Sequence, residues 1–331
     1  MNYRSFGKTD LKVSEIGLGC ASLGGGLYYK DDRESINTLL QAFDSGINLY
    51  DTADSYGLGK SQMLIGQAFR SKRDRVIIAS KIGFFYSNLG RLALRMRPLL
   101  RPVSRFLSPM KDSLHRMRAS QKHYDFSPNY LIKAVDGSLK RFQSDYLDLF
   151  QLYNPPTSIL EKGDFCETLE SLKTQGKIRY YGVACVTVDD ALICLRHPGI
   201  SSVQVDISLL DQEAIKKLLP IAQEKKLAVI ARHPRAMGLL TNTHSDIMGD
   251  VSLYAQGELK SKRKKAEAFR FLIKTNRTLA QAAIQFLLQL EGVSVAIPRA
   301  VDREQLEENL GALTAPPLTT EELSKIYSTG L

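Results

Sequence analysis

Along most of the chain, short apolar runs alternate with longer stretches in which apolar residues recur every three or four positions. The short runs are Glu15–Gly19, Ile47–Tyr50, Val76–Lys81, Leu147–Tyr153, Tyr180–Ala184, Ser202–Ile207, Ala228–Ala231 and Val293–Ile297. They are rich in Val, Ile, Leu and Tyr throughout, the pattern of parallel strands covered on both faces. The stretches between them predict helices. Ser35–Asp44 sets Ile36, Leu39, Leu40 and Phe43 on one face and runs into Gly46, a residue suited to ending a helix. Ser127 and Pro128 read as an N-cap and first helical residue opening Asn129–Phe142. Thr168, Leu169 and Leu172 form a further apolar stripe before Gly176. Thr278 is expected to cap Leu279–Leu290, and Asp302 to cap Arg303–Leu310. Eight rounds of strand and helix predict an α/β fold, either a barrel or a doubly wound sheet. Periodicity does not choose between the two.

Length adds that 331 residues without an evident linker fit one barrel-sized domain, residues 1–331. No run of about 18 apolar residues suggests a membrane span. The polar stretch Met1–Asp10 lacks the apolar core of a signal peptide, so a cytoplasmic location is expected. Cys20, Cys166, Cys185 and Cys194 form no C-x-x-C pair or zinc spacing and read as free thiols. The five histidines show no H-x-x-x-H arrangement, and no metal is expected.

Charge changes the picture in one place. Between Leu89 and Lys122 nine basic residues face a single acid, Asp112, so this segment carries +8 of the net +10. The remainder is close to neutral, which argues against a nucleic-acid partner. At roughly 100° per residue, Arg91, Arg95, Arg97, Arg101 and Arg105 fall on one side of a helix and Leu92, Met96, Leu99, Leu100, Val103, Phe106 and Leu107 on the other. Pro98 and Pro102 should kink or split it. The segment belongs to a long insertion, residues 84–126, after the third predicted strand. Three readings are open: a helical cap on the barrel, which is preferred; a lid attracting an acidic substrate such as a phosphorylated sugar; and peripheral contact with an anionic surface through residues 89–122.

Two glycine clusters carry no phosphate-binding reading. Gly17-Leu-Gly19 follows a strand but lacks the third glycine and the helix of a dinucleotide fingerprint. Gly57-Leu-Gly59-Lys60-Ser61 resembles the end of a P-loop, yet its first glycine is replaced by Asp54.

The informative stretch is Asp51-Thr-Ala-Asp54-Ser-Tyr56-Gly57, where a strand ends in polar residues. Ile77–Lys81 is an apolar strand closed by a lysine, which is unfavourable unless the charge is paired; Asp51 is the expected partner. With Asp145-Tyr-Leu-Asp-Leu-Phe-Gln-Leu152, Val203-Gln204-Val205, Ile230-Ala-Arg232-His-Pro234 followed by Gly238-Leu-Leu-Thr241, and Ile297-Pro298 through Glu308-Asn309, these motifs span nearly the whole chain. The sequence closely resembles the aldo-keto reductase family.

The resemblance implies a (β/α)8 TIM barrel and an oxidoreductase reducing a carbonyl, or an activated carbon–carbon double bond, of a small molecule, with an anionic or sugar-like one as a candidate, and NADPH rather than NADH as cofactor. It implies Tyr56 as the general acid, Lys81 as the ammonium that lowers the phenol pKa, and Asp51 as the group holding Lys81. Gln204, Arg232, Gly238, Leu240, Pro298, Arg299, Arg303, Gln305, Glu308 and Asn309 are implied as the cofactor-binding set. Arginine suits a 2′-phosphate through its planar fork, while Arg303 and Glu307 also read as a solvated i, i+4 pair.

Three positions, in two places, depart from the family. Its catalytic histidine is here Tyr153, which can donate a hydrogen bond but cannot act as an imidazole. Relatives with Glu there reduce carbon–carbon double bonds. The Ser and Asn that hold the nicotinamide carboxamide are here Ala184 and Cys185. These departures keep two other readings open: a non-redox dehydratase or isomerase on the same scaffold, and a binding protein impaired in turnover.

Overall fold

The structure, a computed structural model, describes residues 1–25, 31–86, 122–241 and 256–330. The chain opens with an antiparallel pair, β1 (Tyr3–Ser5) and β2 (Lys12–Ser14). Next come β3 (Leu18–Gly19), β4 (Leu49–Ala53) and β5 (Ile77–Ile82), then a second antiparallel pair, β6 (Phe84–Tyr86) and β7 (Lys122–Tyr124). They are followed by β8 (Leu147–Tyr153), β9 (Ile178–Ala184), β10 (Ile200–Asp206), β11 (Ala228–Arg232) and β12 (Val293–Ile297). Eight of these form one parallel sheet in the order β12-β11-β10-β9-β8-β5-β4-β3. Each of the eight overlaps one of the predicted apolar runs.

Backbone bonds join the sheet's two ends. Gly17 N donates to Ala296 O at 2.8 Å, Ala296 N to Glu15 O at 3.0 Å and Gly19 N to Pro298 O at 3.0 Å. This makes a (β/α)8 barrel rather than an open doubly wound sheet.

The principal surrounding helices are α1 (Asp32–Asp44), α2 (Lys60–Phe69), α3 (Pro128–Phe142), α4 (Phe165–Thr174), α5 (Val188–Cys194), α6 (Leu219–Glu224), α7 (Gln256–Glu267), α8 (Leu279–Leu288), α9 (Arg303–Gly311) and α10 (Thr320–Gly330). Thr278 and Gln281 close a reciprocal capping box on α8, and the Asp302 carboxylate accepts from Gln305 N at 3.0 Å on α9. Ser127 has the extended backbone of an N-cap, but its side chain makes no cap hydrogen bond. The α8 helix ends two residues earlier than the apolar pattern suggested.

Strand geometry sorts the residues. Successive side chains point to opposite faces, so Tyr50, Ile78, Phe150, Val183, Val203 and Val229 face outward into the core between sheet and helices. The opposite set faces the barrel axis. At the strand starts it is apolar: Leu49, Ile77, Leu149, Ala228 and Ile230 pack with Phe6, Leu11 and Val13 of the N-terminal hairpin, which plugs that end. Burying each large apolar side chain contributes about 1.5–3 kcal/mol. Two or four residues further along the same strands the inward set turns polar, to Asp51, Lys81, Gln151, Gln204 and Arg232. The polar site therefore collects at the C-terminal ends, where barrels build active sites.

The basic stretch 89–122, expected to form an amphipathic helix, lies outside the described residues apart from Lys122. The ends of the insertion pair Phe84 with Tyr124 and Tyr86 with Lys122. Residues 242–255 also lie outside the described residues, and α7 begins after them at Gln256. Among the described residues no helix is long and apolar enough to cross a membrane.

Candidate active site

Asp51 and Lys81 sit on adjacent parallel strands, with Ala53 in register beside Lys81. Lys81 Nζ lies 2.5 Å from Asp51 Oδ2, and both side chains are buried. Two charges removed from water need hydrogen bonds beyond their own contact. Gln204 Nε2 supplies one to Asp51 Oδ1 at 2.9 Å, and Gln151 Nε2 another at 3.4 Å. Gln204 thus gives its amide N–H to the Asp51 carboxylate.

Tyr56 is presented by a turn that glycine makes possible. Gly57, Leu58 and Gly59 follow it with φ of 58°, 57° and 90°, all left-handed. A Cβ on Gly57 would lie 2.4 Å from Gly24 O, so backbone packs directly on backbone there. Asp54 N donates to Lys81 O at 3.1 Å and ties the loop to β5.

The Tyr56 and Tyr153 hydroxyls are 3.3 Å apart, and their rings meet edge-on. Lys81 Nζ stands 5.2 Å from the Tyr56 ring centroid and 5.6 Å from that of Tyr153, within cation–π range of both. Phe84 packs edge-on against the other side of Tyr153, with centroids 5.9 Å apart.

The electrostatics differ from the expectation that Lys81 lowers the Tyr56 pKa. Burial pushes the phenol well up and the Asp51 charge adds to this, outweighing the hydrogen bond from Tyr153 and the Arg232 charge. The ammonium is already matched by Asp51, so the phenol meets a neutralised pair rather than a bare cation. Tyr153 is likewise raised, chiefly by burial and next by Tyr56.

Arg232 faces this centre from β11. Its guanidinium donates to Asp206, to Asn154 Oδ1 at 3.2 Å and to Cys185 O at 2.8 Å. Burial alone would raise the Asp206 carboxyl, but Arg232 and His233 beside it hold it below the usual carboxylate range.

The remaining expected cofactor residues divide. Gly238 closes a buried turn, Ala236–Gly238, and Leu240 is fully buried after it. Arg235 Nη2 donates to Arg299 O at 2.7 Å, Asn309 Nδ2 donates to the same oxygen at 3.1 Å, and Arg235 lies 3.8 Å from Glu308. Gln305 Oε1 accepts from Val301 N at 3.3 Å, and Pro298 O serves the barrel seam. Arg299, Glu308 and Asn309 are thus brought together at the rim. Arg303 is not among them: it donates to Glu307 at 2.5 Å on the exposed face of α9.

Gln151, Asn154, Asp206 and Arg235 were not singled out in the sequence. Gln151 and Asp206 each sit two residues from a recognised inward residue, Tyr153 and Gln204, and the period-two rule could have found both.

The profile of the Aldo/keto reductase family matches residues 15–330. An uncharacterized oxidoreductase of Bacillus subtilis, YqkF, is 30% identical over 99% of this chain and 96% of its own. An Escherichia coli protein named NADH-specific methylglyoxal reductase is 29% identical over 72% of this chain and 68% of its own. Among solved structures, the holo form of aldo-keto reductase AKR11C1 from Bacillus halodurans superposes with a TM-score of 0.78 at 28% identity, covering 99% of this chain and 96% of that one. A barrel whose rim carries these side chains in this order, matched over almost its full length, belongs to the aldo/keto reductase family of oxidoreductases.

Proposed function

We propose that the protein reduces the carbonyl group of a small molecule with NADPH, Tyr56 acting as the proton donor. The observation that carries this reading is the buried phenol of Tyr56, kept protonated at the barrel mouth beside Tyr153 and the Lys81–Asp51 pair.

Two buried acceptors without a hydrogen-bond partner fit a dinucleotide along this rim. Asn309 Oδ1 would suit an exocyclic adenine amine, and Gln151 Oε1 would suit the N–H of a carboxamide. Gln204, Arg232, Gly238, Leu240, Pro298, Arg299, Gln305, Glu308 and Asn309 would line the cofactor. Arg303, turned to Glu307, would meet a 2′-phosphate only by exchanging that partner. NADPH is preferred over NADH on the Arg235 and Arg299 cluster, although the E. coli relative is named for NADH specificity. When bound, the nicotinamide supplies a hydride. Tyr56 Oη gives its proton to the substrate oxygen as negative charge develops there. The Arg232 charge stabilises the phenolate left behind, and Tyr153 holds it by a hydrogen bond.

The test is a calorimetric titration of cofactor-stripped protein with NADPH and, in parallel, NADH, followed by cofactor oxidation over a carbonyl panel. Micromolar NADPH binding with turnover supports the reading. Failure to bind either nucleotide would end it.

A further inference from the structure

Cys185 and Cys194 have no part in the proton-transfer arrangement, yet their sulfurs are 3.8 Å apart in van der Waals contact. Cys185 is the first residue after β9, at the mouth of the barrel, and Cys194 is the last residue of α5. Both are free thiols buried in the same apolar core. Val183, Val188 and Ala191 belong to that core too. A disulfide needs sulfurs about 2.0 Å apart, and the gap left to close lies within the swing of two cysteine side-chain torsions. Both residues also sit at element ends, where the backbone yields more readily than in mid-strand or mid-helix.

The position of Cys185 gives such a bond a consequence. Its backbone N donates to Gln204 O at 2.8 Å, and its carbonyl accepts from Arg232 Nη2 at 2.8 Å. Gln204 holds the Asp51 carboxylate, and Arg232 faces the tyrosine pair. Drawing Cys185 toward α5 would strain both contacts together.

We propose that Cys185 and Cys194 are an oxidation site that closes to a disulfide and thereby loosens the rim that positions the reacting groups. The oxidant is hydrogen peroxide, small enough to reach a buried thiol during local opening of the fold. In the first step the Cys185 sulfur attacks a peroxide oxygen; the O–O bond breaks, the thiol becomes a sulfenic acid and water leaves. In the second, the Cys194 sulfur displaces the hydroxyl from Cys185, its proton leaving with that group as a second water. Two thiols are oxidised by two electrons, and one peroxide is reduced to two waters. Burial pushes the Cys20 thiol up, while at Cys185 the neighbouring Cys194 contact and then burial do so. Both therefore react slowly, and Cys185 differs in having a resolving partner. Cys166, partly buried, is the competing thiol: burial, Glu170 and Cys194 together push it up.

The experiment exposes the full-length protein to hydrogen peroxide and reads intact mass and non-reducing peptide maps. The expected result is loss of two hydrogens and a cross-linked peptide joining Cys185 to Cys194, reversed by dithiothreitol. Cys166→Ser should retain the cross-link and Cys194→Ser should abolish it. With the cross-link in place, kcat/KM is expected to fall roughly 10-fold, about the worth of one strained buried hydrogen bond. A mass that only rises by added oxygen, or a cross-link through Cys166, overturns the assignment. A cross-link that leaves kcat/KM unchanged overturns its coupling to the site. The covalent readout is independent of which nucleotide or substrate the site takes, so it stands or falls apart from the reductase reading.

Discussion

Tyr56 Oη lies 3.3 Å from Tyr153 Oη, while the Lys81 ammonium faces both rings. In the proposed reaction one phenol gives up a proton and the other steadies the oxygen that lost it. Tyr56→Phe is expected to lower kcat about 10²–10⁴-fold with nucleotide affinity retained. Tyr153→Phe should cost only about 10-fold, one hydrogen bond's worth. Steady-state kinetics with parallel binding titrations check both; a fully active Tyr56→Phe protein would falsify the assigned proton donor.

The raised phenol of Tyr56 has a definite sign in pH dependence. Reduction needs the protonated form, which is lost only as pH rises through the folded-state pKa, above the ordinary value of about 10. The reduction rate should therefore hold level from about pH 6 to pH 9. A fall in kcat/KM centred near neutrality in the pH profile would mean that the phenol is acidified instead.

Stability and catalysis should come apart at the buried pair. Lys81→Met leaves the Asp51 charge without its cation and is expected to destabilise the fold by about 3–5 kcal/mol. Adding Asp51→Leu removes the stranded charge and should recover much of that loss, while activity stays absent. Denaturant midpoints and turnover on the three proteins test this; a double variant no more stable than the single would show that the pair, not the stranded charge, carries the energy.

A second buried pair fixes the C-terminal helix. Arg277 donates to Glu322 at 2.5 Å and to the carbonyls of Leu272, Pro316 and Pro317. Burial acts to raise the Glu322 carboxyl, but Arg277, Thr319 and Lys274 hold it below its ordinary value. A depressed folded-state pKa stabilises the fold above the unfolded value of about 4.3, and that stability is lost as pH falls through the folded one. Glu322→Gln should lower the melting temperature near neutral pH and flatten its fall below about pH 4. Equal acid sensitivity in both proteins would contradict this.

The strands were legible because parallel strands buried on both faces write unbroken Val, Ile and Leu runs, from Ile77 to Leu149 to Val293. The Lys81–Asp51 contact was legible for a different reason: a lysine ending an apolar strand needs a partner, and Asp51 ends the neighbouring one. Barrel closure was not visible in periodicity, since the seam is backbone bonding by Gly17 and Gly19, whose side chains carry no signal. The acidity of Tyr56 was misjudged because proximity to an ammonium was counted without the carboxylate that matches it. Arg303 was placed with the nucleotide, while the α9 turn gave it to Glu307. Arg235 was missed because its guanidinium reaches Arg299 and Glu308 across a distance in sequence that no local spacing records.

The seam between Gly17 and Ala296 joins parts of the chain that lie far apart in sequence. Strand pairing elsewhere in the sheet links consecutive βα units, so most of the barrel can assemble as the ribosome delivers it. The last cylinder wall cannot. Until β12 emerges, β3 presents an open edge, and the loop-closure entropy of nearly the whole polypeptide must be met in one late event. Folding rate should consequently be governed by a docking step between the two ends, and truncation within β12 should leave an aggregation-prone open sheet rather than a slightly smaller enzyme.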